Sequence, residues 1–143
     1  MSFDLKIKNG DISLNNDGSM TTVVGNGKLR QDILKILLTD LGSNKYHKRY
    51  GSYIGKLNIG DVADARIISL DLEKSARNAI KNLMALQRAQ SRRQDLSPGE
   101  IIIDINDVTV ERDELDPRLY NISVSVMTRE ITDLATSLSI RIA

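Results

Sequence analysis

The stretch Tyr120-Asn121-Ile122-Ser123-Val124-Ser125-Val126 alternates apolar and polar residues without a break, the pattern of a strand with one buried and one solvated face. Leu138, Ile140 and Ile142 repeat that alternation, in a strand that runs to within one residue of the end of the sequence. Upstream, Ile101, Ile103 and Ile105 share one parity and Val108 and Val110 the other, and a bulge at Asn106-Asp107 reconciles them. Asp113-Glu114-Leu115-Asp116-Pro117 reads as the turn between two of these strands. Residues 100–143 are therefore expected to form an antiparallel sheet of about three strands.

Before this sheet the period changes. Leu72, Ala76, Ala79, Ile80, Leu83 and Leu86 fall on one face of a helix over 71–93, with Lys74, Arg77, Lys81 and Arg88 mostly off it and Glu73 in its first turn. A helix over 28–41 carries Leu29, Ile33, Ile36 and Leu37 on one stripe, with Asn26 as its N-cap and Gly42 as its stop. Residues 1–25 read as a small β-meander, with turns at Asn9-Gly10 and Asn16-Asp17-Gly18. The fold class is α+β: one domain, 1–143, with a meander cap and two main helices packed on the C-terminal sheet.

Composition narrows the functions. A 143-residue chain buries roughly 70% of its unfolded surface, enough for a core without staples. With no Cys, a disulfide or thiolate site is excluded, and a single His excludes a multi-histidine metal site. Apolar runs are four residues or shorter, and Met1-Ser2-Phe3-Asp4 has no signal-peptide pattern, so neither a membrane span nor secretion is expected. One Phe, four Tyr and no Trp suit a scaffold better than an aromatic-lined pocket. The net charge of +1 hides a division: residues 41–94 hold eleven bases against four acids, whereas residues 95–143 hold four against ten. If these blocks fold together their fields partly cancel; if they face apart, each steers oppositely charged partners.

No constellation for catalysis emerges. His47, between Tyr46 and Lys48, has no carboxylate beside it in sequence and reads as a loop histidine. Asp104, Asn106 and Asp107 lack the continuation of a calcium loop, and Gly25-Asn26-Gly27-Lys28 lacks the spacing of a phosphate cradle. Glu100 and Glu130 are the acids left unassigned, too little to make the paired-carboxylate site of the alternative reading, a lysozyme-like peptidoglycan hydrolase. No cofactor or metal is expected, and the chain reads as a non-enzyme that binds neighbours.

Two binding segments stand out. Residues 42–60 form a loop with four glycines, no acid, and Tyr46, Tyr50 and Tyr53; its length marks it as functional. Tyr46, His47, Arg49, Tyr50 and Tyr53 are its candidate contact residues, and the segment Lys45-Tyr46-His47-Lys48-Arg49-Tyr50 is also the best nucleic-acid candidate, ranked behind a protein partner. Thr136, Leu138, Ile140 and Ile142 are the second set, on a terminal strand whose outer edge could pair with another chain.

Leu29-Arg30-Gln31-Asp32-Ile33-Leu34, then Thr39-Asp40-Leu41-Gly42, then Tyr50-Gly51-Ser52 resembles the baseplate wedge, or sheath-initiator, family of contractile phage tails, as does Asn9-Gly10-Asp11-Ile12. Members of that family have at times been labelled lysozyme-like. The resemblance implies a structural subunit of the virion, assembled in the host cytoplasm into the tail baseplate. Its partners would be other wedge proteins, the tail sheath, and tube or hub proteins. It further implies that a neighbour's arm completes the C-terminal sheet, with Thr136 to Ile142 as the receiving strand. Many members carry Glu-Pro-Arg after the second helix; this chain has Arg92-Arg93-Gln94-Asp95-Leu96-Ser97-Pro98 there, and Asp116-Pro117-Arg118 falls in a later turn.

Overall fold

A computed structural model describes residues 2–56 and 64–142. The end of the expected loop, 57–60 with Gly60, lies outside the described residues, as do positions 1 and 143. Four two-residue strands come first: β1 (Asp4–Leu5), β2 (Ile7–Lys8), β3 (Asp11–Ile12) and β4 (Thr22–Val23). Helices α1 (Gly25–Leu38) and α2 (Ala65–Gln90) follow, then β5 (Ile102–Arg112), β6 (Leu119–Thr128) and β7 (Asp133–Arg141).

The N-terminal cap departs from a simple meander. Its first stretch divides at Lys6: β1 pairs with β4, whereas β2 pairs with β3. The Lys6 amide donates to the Thr21 carbonyl, its carbonyl accepts from Ser13, and the Thr21 amide donates to Ser13, so three short segments meet at one junction. The β2–β3 turn is at Asn9-Gly10, both with positive φ, as a two-residue hairpin loop requires.

Helix α1 starts and stops earlier than its sequence pattern suggests. Val24 occupies the cap position without a side-chain bond, and Asn26 lies inside the first turn. The helix ends at Leu38 because Thr39 is extended and both its amide and its hydroxyl bond the Lys35 carbonyl. Gly42 is thus beyond the stop.

Helix α2 begins six residues earlier than expected, where the Asp64 side chain accepts the Arg66 amide at 3.3 Å as an N-cap. Glu73 therefore lies well inside the helix, paired with Arg77 one turn on at 3.2 Å, instead of at its first turn. The helix stops at Gln90, three residues short of Arg93, in a turn. On its inner face Leu86 is only half-buried, whereas Gln87 is buried, donating to the Glu100 carbonyl at 2.7 Å and accepting the Ile102 amide at 3.0 Å. Gln87 thereby fixes where β5 starts.

The C-terminal sheet is antiparallel in the order β5-β6-β7. Tyr120, Ile122, Val124 and Val126 of β6 face the helices and are buried, together with Leu29, Ile33, Ile36 and Leu37 of α1 and Leu72, Ala76, Ala79, Ile80 and Leu83 of α2. Each such aliphatic side chain contributes about 1.5–3 kcal/mol by leaving water. The register of β5 on β6 shifts between Ile105 and Asp107, the expected bulge, and again between Ile102 and Asp104. The register of β7 on β6 is unbroken from Leu119↔Arg141 to Met127↔Asp133.

Candidate protein-interaction surfaces

The loop after α1 is ordered by its own backbone. Ser52 donates its amide to the Thr39 carbonyl and accepts the Leu41 amide, forming a parallel bridge between Asp40 and Ser52. The Ser52 hydroxyl donates to the Leu37 carbonyl at 2.6 Å, satisfying one of the acceptors that a helix end leaves open. Gly51, at φ +121°, passes so close to Thr39 that a Cβ would sit 2.6 Å from its carbonyl oxygen. The segments Thr39–Gly42 and Tyr50–Ser52 are thus two halves of one C-terminal clasp on α1. Further out, Asn44 Oδ1 accepts the amides of Tyr46 and His47, and the Asn82 side chain holds the Arg49 carbonyl.

This clasp divides the five loop candidates. Tyr46 is 86% exposed and Tyr53 56%, with His47 and Arg49 also exposed. Tyr50 instead turns half inward and packs against the core, so that only part of its ring stays open to a partner. Burial pushes its phenol above the ordinary value, against the pull of Lys35.

An alternating row of charges runs beneath the loop. Asp32 meets Lys28 at 2.7 Å and Lys35 at 3.3 Å; Lys35 also pairs with Asp4, and Lys28 lies 3.8 Å from Glu100. Burial opposes the charge on Asp4, but hydrogen bonds from Lys35 and Gln31 outweigh it and hold the carboxyl below its ordinary range. Gln31 also bonds the Leu5 carbonyl and accepts the Ile7 amide, so Gln31-Asp32 ties α1 to the cap. The i, i+4 and i+7 spacing of Lys28, Asp32 and Lys35 is the sequence signal for this row. Beside it, a groove of about 720 Å³ opens between α1, the loop and the end of α2.

The two unassigned carboxylates do not face one another across that groove. Glu100 is 1% exposed, takes a bond from the Ser97 hydroxyl, and keeps its other oxygen without a hydrogen-bond partner beside Lys28. Glu130 is exposed and lies over Gly99, where a Cβ would meet its carboxyl at 3.2 Å.

Strand β7, one of the sheet's two edges, leaves backbone groups open on its outer side. Thr136, Leu138 and Ile140 are half-buried on the helix-facing side, and Ile142 is buried in the core, so these side chains do not themselves face outward. The Ile142 amide donates inward to the Arg118 carbonyl, and antiparallel alternation then turns the amides and carbonyls of Ala135, Ser137 and Ser139 outward. Those three residues are exposed, and among the described residues no strand pairs beyond β7. The polar parity of the strand was the signal for them.

The sheet's other edge is built differently. Strand β5 carries two register shifts and the charges Asp104, Asp107, Glu111 and Arg112, whereas β7 has no charge between Asp133 and Arg141. Bulges and charges blunt an edge against pairing. Edge β7 has neither device along its middle.

No protein-family model and no curated protein sequence matches this chain. Among solved structures, the fold is similar to that of a "putative tail lysozyme" from Geobacter sulfurreducens, with a TM-score of 0.59 and 14% identity over 81% of this chain and 89% of that one. At this identity the likeness is one of fold.

Proposed function

We propose that this chain is a structural adaptor of a contractile phage tail, a baseplate wedge protein that joins the baseplate to the first sheath ring and initiates sheath assembly without catalysis. The observation that carries the reading is the unblunted β7 edge, open to a partner's strand while β5 is bulged and charged. Main-chain hydrogen bonds to a sheath arm would supply affinity, and the alternating side chains would set register. The tail setting draws support from the name of the structural neighbour and from the clasp formed by the Thr39–Gly42 and Tyr50–Ser52 segments. Exposed Tyr46, Tyr53, His47 and Arg49 form a second surface, suited to a wedge, tube or hub protein.

Ser137→Pro tests this. It removes an outward amide and leaves the bonds to β6 in place, so the chain should keep its circular dichroism and denaturation midpoint. Tails assembled with it should carry baseplates but no sheath in electron micrographs. Full-length sheath on those tails would sink the proposal.

A second reading, peptidoglycan hydrolysis in the host envelope, is favoured by the neighbour's name alone. Burial of Glu100 against Lys28 speaks against it. Cell-wall turnover that disappears in Glu100→Gln, with the fold intact, would establish it instead.

A further inference from the structure

The β5–β6 turn presents one apolar side chain to water almost completely: Leu115 is 96% exposed. Its backbone is fixed, because Asp113 Oδ1 accepts the amides of Leu115 at 2.8 Å and Asp116 at 2.9 Å, and the Asp113 amide donates to Leu119. Those amides hold the Asp113 carboxyl below its ordinary range, so it stays ionised at neutral pH. Glu114 is exposed beside it; Asp116 is paired with Arg141 at 2.8 Å, which leaves Asp113 and Glu114 as the acids of the turn without an ion pair among the described residues. A rigid, acidic knob with a leucine at its tip loses little freedom on docking.

The groove of about 720 Å³ at the other end of the sheet has the complementary chemistry. Leu86, Ala89 and the half-buried ring of Tyr50 line it, and Arg92 and Arg93 stand at its rim. Lys28 and Lys35 on its α1 wall are neutralised by Asp32, Asp4 and Glu100. Arg92 and Arg93 form no ion pair among the described residues.

We infer that the groove between α1 and α2 receives the Asp113–Asp116 turn of a second copy of this chain, with Leu115 against Leu86 and Ala89 and with Asp113 and Glu114 against Arg92 and Arg93. The two features cannot meet within one molecule, because the eleven residues of β5 separate the two ends of the sheet by about 35 Å. The contact is therefore head to tail, between different patches, and a row of copies joined this way always ends in one free knob and one free groove. Single-turn contacts fall well below the roughly 1,200 Å² of stable interfaces, so the association is weak and gains from local concentration. This inference stands without the tail reading.

Sedimentation velocity on the purified chain over about 5 µM to about 1 mM tests it, the range suited to a contact of this size. The sedimentation coefficient of the wild type should climb with concentration without levelling at a dimer, and added salt should reverse the climb. Leu115→Ser and the double variant Arg92→Glu/Arg93→Glu alter exposed side chains, so both should stay folded by circular dichroism and sediment as monomers. Mixed together, they should form a one-to-one dimer and nothing larger, because one keeps its groove and the other its knob. A wild type that is monomeric throughout, variants that associate like it, or a mixture that stays monomeric would each overturn the inference.

Discussion

The loop after α1 and the strand β7 are both offered to partners, yet they treat their backbone groups in opposite ways. The loop uses its amides and carbonyls on itself and on α1, through Ser52, Asn44 and Asn82, and so presents side chains from a fixed platform. Edge β7 pairs one side with β6 and leaves the other open along Ala135 to Ser139. A surface of the first kind recognises by shape and charge, and one of the second kind by completing a sheet. The first should fail when its internal bonds are cut, the second only when its unused ones are.

The largest effect should come from Gly51→Ala. A methyl 2.6 Å from the Thr39 carbonyl, on a backbone at φ +121°, has no place to go, and a loss of about 3 kcal/mol or more is expected in denaturant titrations. Ser52→Ala comes next. It strands the Leu37 carbonyl in a buried setting, for about 1–3 kcal/mol by the same measurement. Ser137→Pro on the other surface should change stability by under about 1 kcal/mol while abolishing sheath attachment, and a loss comparable to Gly51→Ala would erase the distinction between the two surfaces. Smallest of all, Tyr46→Ala and Tyr53→Ala should shift stability by under about 0.5 kcal/mol, since both rings lie largely in water, and weaken only partner binding, read by calorimetry.

Much of this division was legible in the residues themselves. The alternation from Tyr120 to Val126 gives the central strand, and the parity change between Ile105 and Val108 gives the bulge at Asn106. The helix ends were less legible, because long-range bonds decide them. Thr39 leaves α1 to join Ser52, thirteen residues on, and no local propensity announces that partner. Asp64 is an ordinary N-cap residue, but the apolar stripe that draws the eye to α2 begins at Leu72, a full two turns later.

The site was legible as segments more than as surfaces. Tyr46 and Tyr50 look alike in sequence; one lies in water and the other half-buried against the core because Gly51 turns the chain back between Thr39 and Ser75. For β7 the alternation was plain, but the apolar parity that marks it as a strand is the one that faces the helices. The pairing groups belong to the polar parity.

The open edge can be read directly by hydrogen exchange at single-residue resolution, on the isolated chain and on the chain within assembled tails. The amides of Ala135, Ser137 and Ser139 should exchange rapidly in the isolated chain, while those of Val124 and Val126 on β6 are protected, and should become protected once the sheath is attached. Protection of those three amides before assembly, or rapid exchange after it, would contradict an open edge that a partner's strand completes.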